Sequence, residues 1–346
     1  MEIIKGWACF GKDQALIKFE YEVPPILDDF IEVEITHCGI CGSDIHMLDS
    51  AFVPMKYPII VGHEIVGRIS NLGSKVSGFQ LGSRIGIGPQ CQACFSSDCA
   101  SCLYQQENMC DKAIWTYCNK TKKDGTQAYG GYAERIRVMA QFAYLIPENI
   151  PSDYAAPLLC AGTTIYASLA RLNIHKKHKV GIFGIGGLGH LSVMFCKAMG
   201  LDITAFSSSE SKRRDTMELG VNKFINVQNE EQSLSVKDSI DYLFITGNME
   251  GDTWEQYIKF MKHHGHIVLL SISKNDLVIN PLLLLFKSIT ISSSLFGSIK
   301  ETKEMLDFAL KHNIRPKVEK FPMSEVNTAI SLVRKGGVRY RIVLEN

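Results

Sequence analysis

Charge of one sign is what this 346-residue chain most plainly lacks: 37 Lys and Arg offset 36 Asp and Glu, for a formal net charge of +1. The basic residues are spread out rather than gathered in a stripe, so there is no electrostatic footprint for nucleic acid or an anionic membrane. Long apolar runs are missing too. The longest, Pro281 to Phe286, is far short of the roughly 20 residues that a spanning helix needs. The N-terminus, MEIIKGWACFGKDQ, has no basic segment followed by an apolar one, so no secretory signal is expected and a cytoplasmic protein is the reading. There is no internal repeat and no low-complexity tract, which argues against solenoids and disordered tails.

What is present is an ordinary globular composition over a length that suggests about two domains. The eleven cysteines are an odd count, awkward for a complete disulfide framework. They bunch between Cys91 and Cys118, which points to a bound metal in a reducing compartment.

The N-terminal half reads as β-rich. Ile31 to Thr36 (IEVEIT) alternates apolar and charged residues, the period of a half-buried strand, and glycines recur from Gly62 to Gly88 as in short strands joined by tight turns. After Pro157 the pattern becomes strand, helix, strand. Strands are expected at Lys179–Phe183, Asp202–Phe206, Lys223–Asn226, Ile240–Ile245, His266–Ser271 and Ile289–Ser293. Helices are expected at Gly187–Met199 and Glu210–Leu219. Such alternation implies an α/β, doubly wound parallel sheet covered on both faces. Two helices, near Lys300–His312 and Ser324–Lys335, and a strand at Tyr340–Leu344 close the chain.

Between the first of these strands and its helix lies GxGxxG: Gly184, Gly186 and Gly189, with Gly187 and Leu188 inside the same turn. Gly184 allows the tight turn, Gly186 lets the backbone approach a pyrophosphate, and Gly189 lets helix and strand pack closely. The N–H groups opening the helix then face the phosphates. The end of the next strand lacks the Asp or Glu that would hold the ribose hydroxyls of NAD. It offers Ser207, Ser208 and Ser209, then Lys212 and Arg213, groups that donate to a 2′-phosphate. NADP(H) is therefore the expected cofactor, although serines here also suit a helix cap.

Two cysteine sets suggest metal. Cys41, His63 with the adjacent Glu64, and Cys160 are dispersed; two thiolates and one imidazole make the donor set of a catalytic zinc with an open position. Cys38 and Cys41 also form a CxxC spacing, which suits a redox pair. The second set is local: Cys91, Cys94, Cys99, Cys102 and Cys110, enough for a closed four-thiolate site, with Cys118 a spare thiol.

With these motifs in order, the chain resembles the zinc-containing medium-chain alcohol dehydrogenases, in their cinnamyl alcohol dehydrogenase branch. The resemblance rests on CGICGSDIH from Cys38, VGHEIVG from Val61, GGYAERIRV from Gly130, APLLCAG from Ala156, VGIFGIGGLGH from Val180, GSIKE from Gly297 and VRYRIVL from Val338. It implies a GroES-like, β-rich catalytic domain over residues 1–155, completed by 295–346, with a Rossmann domain at 156–294 between them and an active site in the cleft. It implies two zinc ions per chain. Cys41, His63 and Cys160 would hold the catalytic one, with Glu64 entering when the metal changes partners. Ser43 and His46 would relay a proton, and Asp44 would orient His63. Ser208 and Lys212 would hold the 2′-phosphate, with Thr164 also near the cofactor. Met47, Trp115, Leu295 and Phe296 match substrate-pocket positions.

One departure concerns the second metal. The family spacing counted back from Cys110 fits Cys102 and Cys99 but then requires Ser96. Cys94 completes the expected set of Cys94, Cys99, Cys102 and Cys110 only if the loop bulges; Cys91 is the substitute. The implied activity is NADP(H)-dependent interconversion of small hydrophobic aldehydes and alcohols, by a homodimer paired near Ile289–Ser293. The alternatives are an NAD-dependent polyol or sugar dehydrogenase of the same superfamily, opposed by the serines, a zinc-free quinone reductase, opposed by the full donor set, and a non-catalytic zinc-binding scaffold or interaction protein.

Overall fold

The strand Phe30–Ile40 organises the N-terminal half. In the computed structural model, which describes residues 1–51, 53–247, 254–272 and 276–346, it pairs antiparallel with Glu64–Leu72 and Arg135–Met139. The strand Arg341–Glu345, from the C-terminus, pairs further along the same edge as Arg135–Met139, opposite Glu64–Leu72. Arg84–Ile87, Ala143–Leu145 and Val318–Pro322 complete a seven-stranded sheet. Register matters more than strand count here. Gly39 lies opposite Glu64, and Ile342 opposite Ile40, so three strand ends carrying Cys41, His63–Glu64 and Arg341 meet at one corner.

The alternation of Ile31 to Thr36 proved a half-truth. Glu32 is only 3% exposed rather than facing water. Arg137 Nε donates to it at 2.6 Å and Arg135 Nη1 at 3.0 Å, which supplies the pairing a buried carboxylate needs. Beneath the sheet, Ile35, Ile40, Ile65, Val61 and Ile342 belong to one continuous apolar core.

Residues 164–295 form a six-stranded sheet in which every pairing is parallel. The spatial order is Lys223–Asn226, Asp202–Ser207, Lys179–Phe183, Ile240–Ile245, Met261–Leu269, Thr290–Ser293. The chain thus runs outward from Lys179–Phe183 in one direction and then in the other, which opens a ligand crevice at the strand ends where the order reverses. The fifth strand differs from expectation: it begins at Met261 and ends at Leu269, not at His266 and Ser271. Its start is disguised by the polar stretch Lys262–Gly265, where His264 has φ 61° and the register with Ile240–Ile245 shifts. The helix after the glycine turn begins at Gly189, and Glu210–Leu219 starts as a 3₁₀ turn over Glu210–Lys212.

The chain therefore comprises two compact units, Met1–Thr163 with Phe296–Asn346, and Thr164–Leu295. Cys160 and the helical turns before it lie in the first unit. No helix among the described residues is long and apolar enough to cross a membrane.

Candidate active site and metal centres

Cys41 follows the strand Phe30–Ile40 directly and caps the helix Gly42–Leu48, its backbone N–H donating to Asp44 Oδ2 at 2.8 Å. His63 precedes the strand Glu64–Leu72. Cys160 lies in a widened, π-helical turn, Leu158–Gly162, an irregularity frequent at functional sites. These elements bring one ligand atom each from Cys41, His63, Glu64 and Cys160 to within 4.8 Å of one another. His63 Nε2 is 3.2 Å from Cys160 Sγ, and the two sulfurs are 4.0 Å apart. Donors around a tetrahedral zinc stand roughly 3.6 to 3.8 Å apart, so the spacing suits that ion.

The surroundings prepare the donors. Asp44 is fully buried and also accepts from Gly62 N at 3.1 Å and Tyr132 Oη at 3.2 Å. Its Oδ1 lies 3.0 Å from His63 Nδ1, and Tyr117 Oη lies 3.1 Å from the same nitrogen. A proton held at Nδ1 leaves Nε2 as the ligating atom. Burial, then the Asp44 charge, pushes both phenols well above their usual range, so both remain able to donate. The hydrogen bond with Cys160 holds Cys41 well below the usual thiol range and pushes Cys160 well above it. Burial is the largest single influence and opposes a proton on His63, but the charges of and hydrogen bonds with Asp44 and Cys41 together outweigh it, and its pKa rises. Metal binding displaces such protons from thiol and imidazole.

Glu64 Oε1 accepts from Arg341 Nη2, both groups buried, while Oε2 has no hydrogen-bond partner among the described residues. Burial raises the Glu64 carboxyl to about 7 against the pull of Arg341. A Cβ on Gly39 would stand 2.1 Å from Glu64 Oε2, which explains that glycine. Ser43 Oγ is 3.7 Å from Cys41 Sγ, and His46 lies three residues along the same helix. Cys38 does not join the donors. Its sulfur packs where Gly62 and Gly131 leave room, a core role rather than that of a redox partner for Cys41.

The second cluster gathers Cys94, Cys99, Cys102 and Cys110, again within 4.8 Å. Cys94 is 3.7 Å from Cys102 and 3.5 Å from Cys110, and Cys99 is 3.9 Å from Cys110, against about 3.8 Å for a tetrahedral zinc tetrathiolate. The irregular spacing is absorbed at Phe95, whose φ of 45° turns the chain sharply. A backbone hydrogen bond at Ser96 then draws the Cys94 thiol down to about 7. Cys91 points away, its thiol bonded to the carbonyls of Ile114 and Trp115 at 3.4 and 3.5 Å.

In the second unit the glycine turn has the three properties expected of it. Gly184 has φ 93°, and a Cβ on Gly189 would stand 2.0 Å from the Gly184 carbonyl oxygen. A Cβ on Gly186 would meet nothing within 4 Å, the open space a phosphate requires. Gly187 and Leu188 complete the turn into the helix. Thr246, not anticipated from sequence, braces it by donating to the Gly184 carbonyl at 2.6 Å. Ser207 is buried and accepts from Ser209 N at 3.1 Å, while Ser209 Oγ lies 2.8 Å from Ser211 Oγ. Ser208 is exposed, and Lys212 Nζ donates to the Ile185 carbonyl at 2.9 Å, beside the turn. Glu210 is occupied by Arg213 and Asn226. Thr164 is the second residue of the helix Thr163–Arg171.

Of the pocket candidates, Trp115 and Phe296 meet edge to face at 5.2 Å, Met47 packs against the apolar core, and Leu295 is exposed. Arg341, Tyr117 and Tyr132 were not anticipated as site residues. A signal existed for Arg341, a charge opening the otherwise apolar run RIVL, which demands a partner where it is buried. The two tyrosines carry no local signal.

Two sulfur-rich donor clusters in a β-rich unit, together with a second unit built on a parallel sheet with a phosphate-ready turn, define the class: an alcohol dehydrogenase oxidoreductase of GroES-like plus Rossmann build. Residues 28–148 match the family model for the alcohol dehydrogenase GroES-like domain, and residues 187–311 that for zinc-binding dehydrogenases. The chain is 37% identical over 342 residues to a probable cinnamyl alcohol dehydrogenase of Arabidopsis thaliana, covering 98% of this chain and 93% of that one. It is also 37% identical to 8-hydroxygeraniol dehydrogenase of Catharanthus roseus, covering 98% and 94%. Its fold superposes with a TM-score of 0.92 on a cinnamyl alcohol dehydrogenase from Helicobacter pylori complexed with NADP(H), at 31% identity over 99% of this chain and 98% of that one. The chain belongs to the zinc-containing medium-chain alcohol dehydrogenases, in the cinnamyl alcohol dehydrogenase branch.

Proposed function

We propose that this protein is a zinc-dependent, NADP(H)-using reductase of small hydrophobic aldehydes such as cinnamaldehyde or benzaldehyde, and a dehydrogenase of the corresponding alcohols. The observation that carries the reading is the convergence of Cys41, His63, Glu64 and Cys160 on one point. Bound zinc supplies Lewis-acid polarisation of a carbonyl oxygen, and a nicotinamide supplies the hydride.

The chain's own residues do the rest. Asp44 fixes the His63 ring through Nδ1, so that Nε2, Cys41 Sγ and Cys160 Sγ are the zinc ligands. Glu64 Oε2 is the carboxylate oxygen that can join them. Ser43 holds a proton at Oγ, and His46, on the same helix, is the next station towards water. Cys94, Cys99, Cys102 and Cys110 hold the structural zinc, making two per chain. The turn Gly184–Gly189, with Gly186, Gly187 and Leu188 half-buried within it, takes the pyrophosphate. Ser208 and Lys212 take the 2′-phosphate, supported by Ser207 and Ser209, and Thr164 lies with the cofactor-binding set. Met47, Trp115, Leu295 and Phe296 line the substrate's apolar side.

The alternative of an NAD-dependent polyol or sugar dehydrogenase is disfavoured by the absence of a free acid after the strand Asp202–Ser207, since Glu210 is paired. The printed names of two relatives, a cinnamyl and an 8-hydroxygeraniol dehydrogenase, and the NADP(H) complex of the Helicobacter structure support the present reading, while a third relative, a probable mannitol dehydrogenase of Mesembryanthemum crystallinum, keeps the polyol alternative for the assay to decide. A non-catalytic scaffold has no need of a complete donor set with its orienting carboxylate. The protein works as a cytoplasmic homodimer in this reading. The strand Thr290–Ser293 stands at the sheet edge, and Leu282, Leu285 and Phe286 before it are exposed. The deciding assay follows NADPH and NADH oxidation with cinnamaldehyde. Faster turnover with NADPH is expected; turnover of polyols with NAD would replace this reading with the alternative.

A further inference from the structure

The loop carrying the four clustered thiols is fastened to the segment Phe296–Ile299 by two buried side chains that the reaction above does not use. Both stand on the 3₁₀ turn Glu107–Met109, directly before Cys110. Glu107 accepts from the backbone N–H of Ile299, the first residue of the helix Ile299–Lys311, where a negative charge is favoured. Asn108 Nδ2 donates to the Phe296 carbonyl at 2.7 Å. Flipping that amide would set two oxygens face to face, so its orientation is determined. The same turn reaches the other half of the aromatic pair. The Glu107 carbonyl accepts from Gln90 Nε2 at 2.8 Å, and Gln90 lies opposite Trp115 in the small antiparallel pairing of Gln90–Gln92 with Ile114–Trp115. One turn therefore braces both partners of the edge-to-face contact between Trp115 and Phe296.

We propose that Glu107 and Asn108 are positioning residues that set the Trp115–Phe296 pair and so govern acceptance of flat aromatic aldehydes, resting on the reading that this pair lines the substrate pocket. An extended aromatic substrate needs a wall at a fixed place, whereas a small aliphatic one makes too little contact to sense it. The lobe with the four thiols thereby contributes to substrate choice as well as to folding.

The test uses the full-length, zinc-loaded protein and Asn108→Leu, which keeps the branched outline at a somewhat larger volume and removes the donor. Zinc content, kcat and KM for cinnamaldehyde and propanal, and Trp115 emission in a Trp7→Phe, Trp254→Phe background are measured. The expected result is an unchanged zinc content, a KM for cinnamaldehyde raised roughly tenfold with kcat within about twofold, an unchanged KM for propanal, and shifted Trp115 emission. An unchanged cinnamaldehyde KM and emission, or equal losses with both aldehydes, overturns the proposal. Should Asn108→Leu not fold, Asn108→Ser, which is shorter but retains a donor, reads the same quantities with a smaller expected rise. If the unmutated protein reduces no aldehyde, the functional reading fails by itself, while the Trp115 emission still decides whether Asn108 sets the pair.

Discussion

Asp44 and His63 are joined at 3.0 Å, carboxylate Oδ1 to ring Nδ1, at the point where three strand ends of the first unit converge. The carboxylate also receives two backbone N–H groups and a tyrosine hydroxyl, so neither its position nor the ring's is free to drift. Asp44→Asn keeps the shape but weakens the claim on the Nδ1 proton. The expected outcome is a 10- to 100-fold lower affinity at the catalytic zinc site, on the order seen when a ligand's orienting partner is removed. Competition with a graded chelator, counting zinc retained per chain, measures it. Unaltered retention would remove Asp44 from the account of the site.

Ser208→Asp places a carboxylate where the 2′-phosphate is proposed to sit. Facing like charges should lower kcat/KM with NADPH by roughly tenfold or more and leave NADH much less affected. Parallel kinetics with the two cofactors check this. A constant ratio would show that the ribose lies elsewhere.

Cys94 and Cys91 offer a paired comparison. Cys94→Ser should lose the structural zinc and lower the melting temperature, because metal binding at a closed site contributes folding energy. Cys91→Ser should keep both zinc ions, since that thiol bonds to the Ile114 and Trp115 carbonyls instead. Zinc loss from Cys91→Ser with retention in Cys94→Ser would reverse the ligand assignment.

Phe286 is 78% exposed just before the edge strand Thr290–Ser293. A charge there should oppose association through that edge. Phe286→Asp is therefore expected to sediment or scatter light as a monomer, and the parent as the proposed dimer. A dimer of unchanged strength would move the interface to another surface.

Much of this architecture is legible in the sequence because the strong signals are local. Lys179–Phe183 and Lys223–Asn226 are short apolar strands bounded by turn residues, and both stand at the expected positions. The glycine turn announces itself because each glycine answers a separate steric demand. What escaped depends on tertiary pairing. The start of Met261–Leu269 is polar because Lys262 is bound to Asp241, and Glu32 is buried because Arg137 reaches it. Tyr117 and Tyr132 look like any core aromatic until the fold points both hydroxyls at the Asp44–His63 pair. The bulge that admits Cys94 could be inferred from cysteine spacing, but its pivot at Phe95 could not, since a non-glycine residue at positive φ leaves no mark in the sequence.

The most direct test of the central claim, that Cys41, His63 and Cys160 hold a catalytic zinc distinct from the cysteine-cluster site, is zinc per chain measured alongside NADPH-dependent cinnamaldehyde reduction in the parent and in Cys160→Ser. About two zinc ions and activity are expected in the parent, against about one zinc, an intact fold and no turnover in the variant. Two zinc ions with undiminished reduction in Cys160→Ser would contradict it.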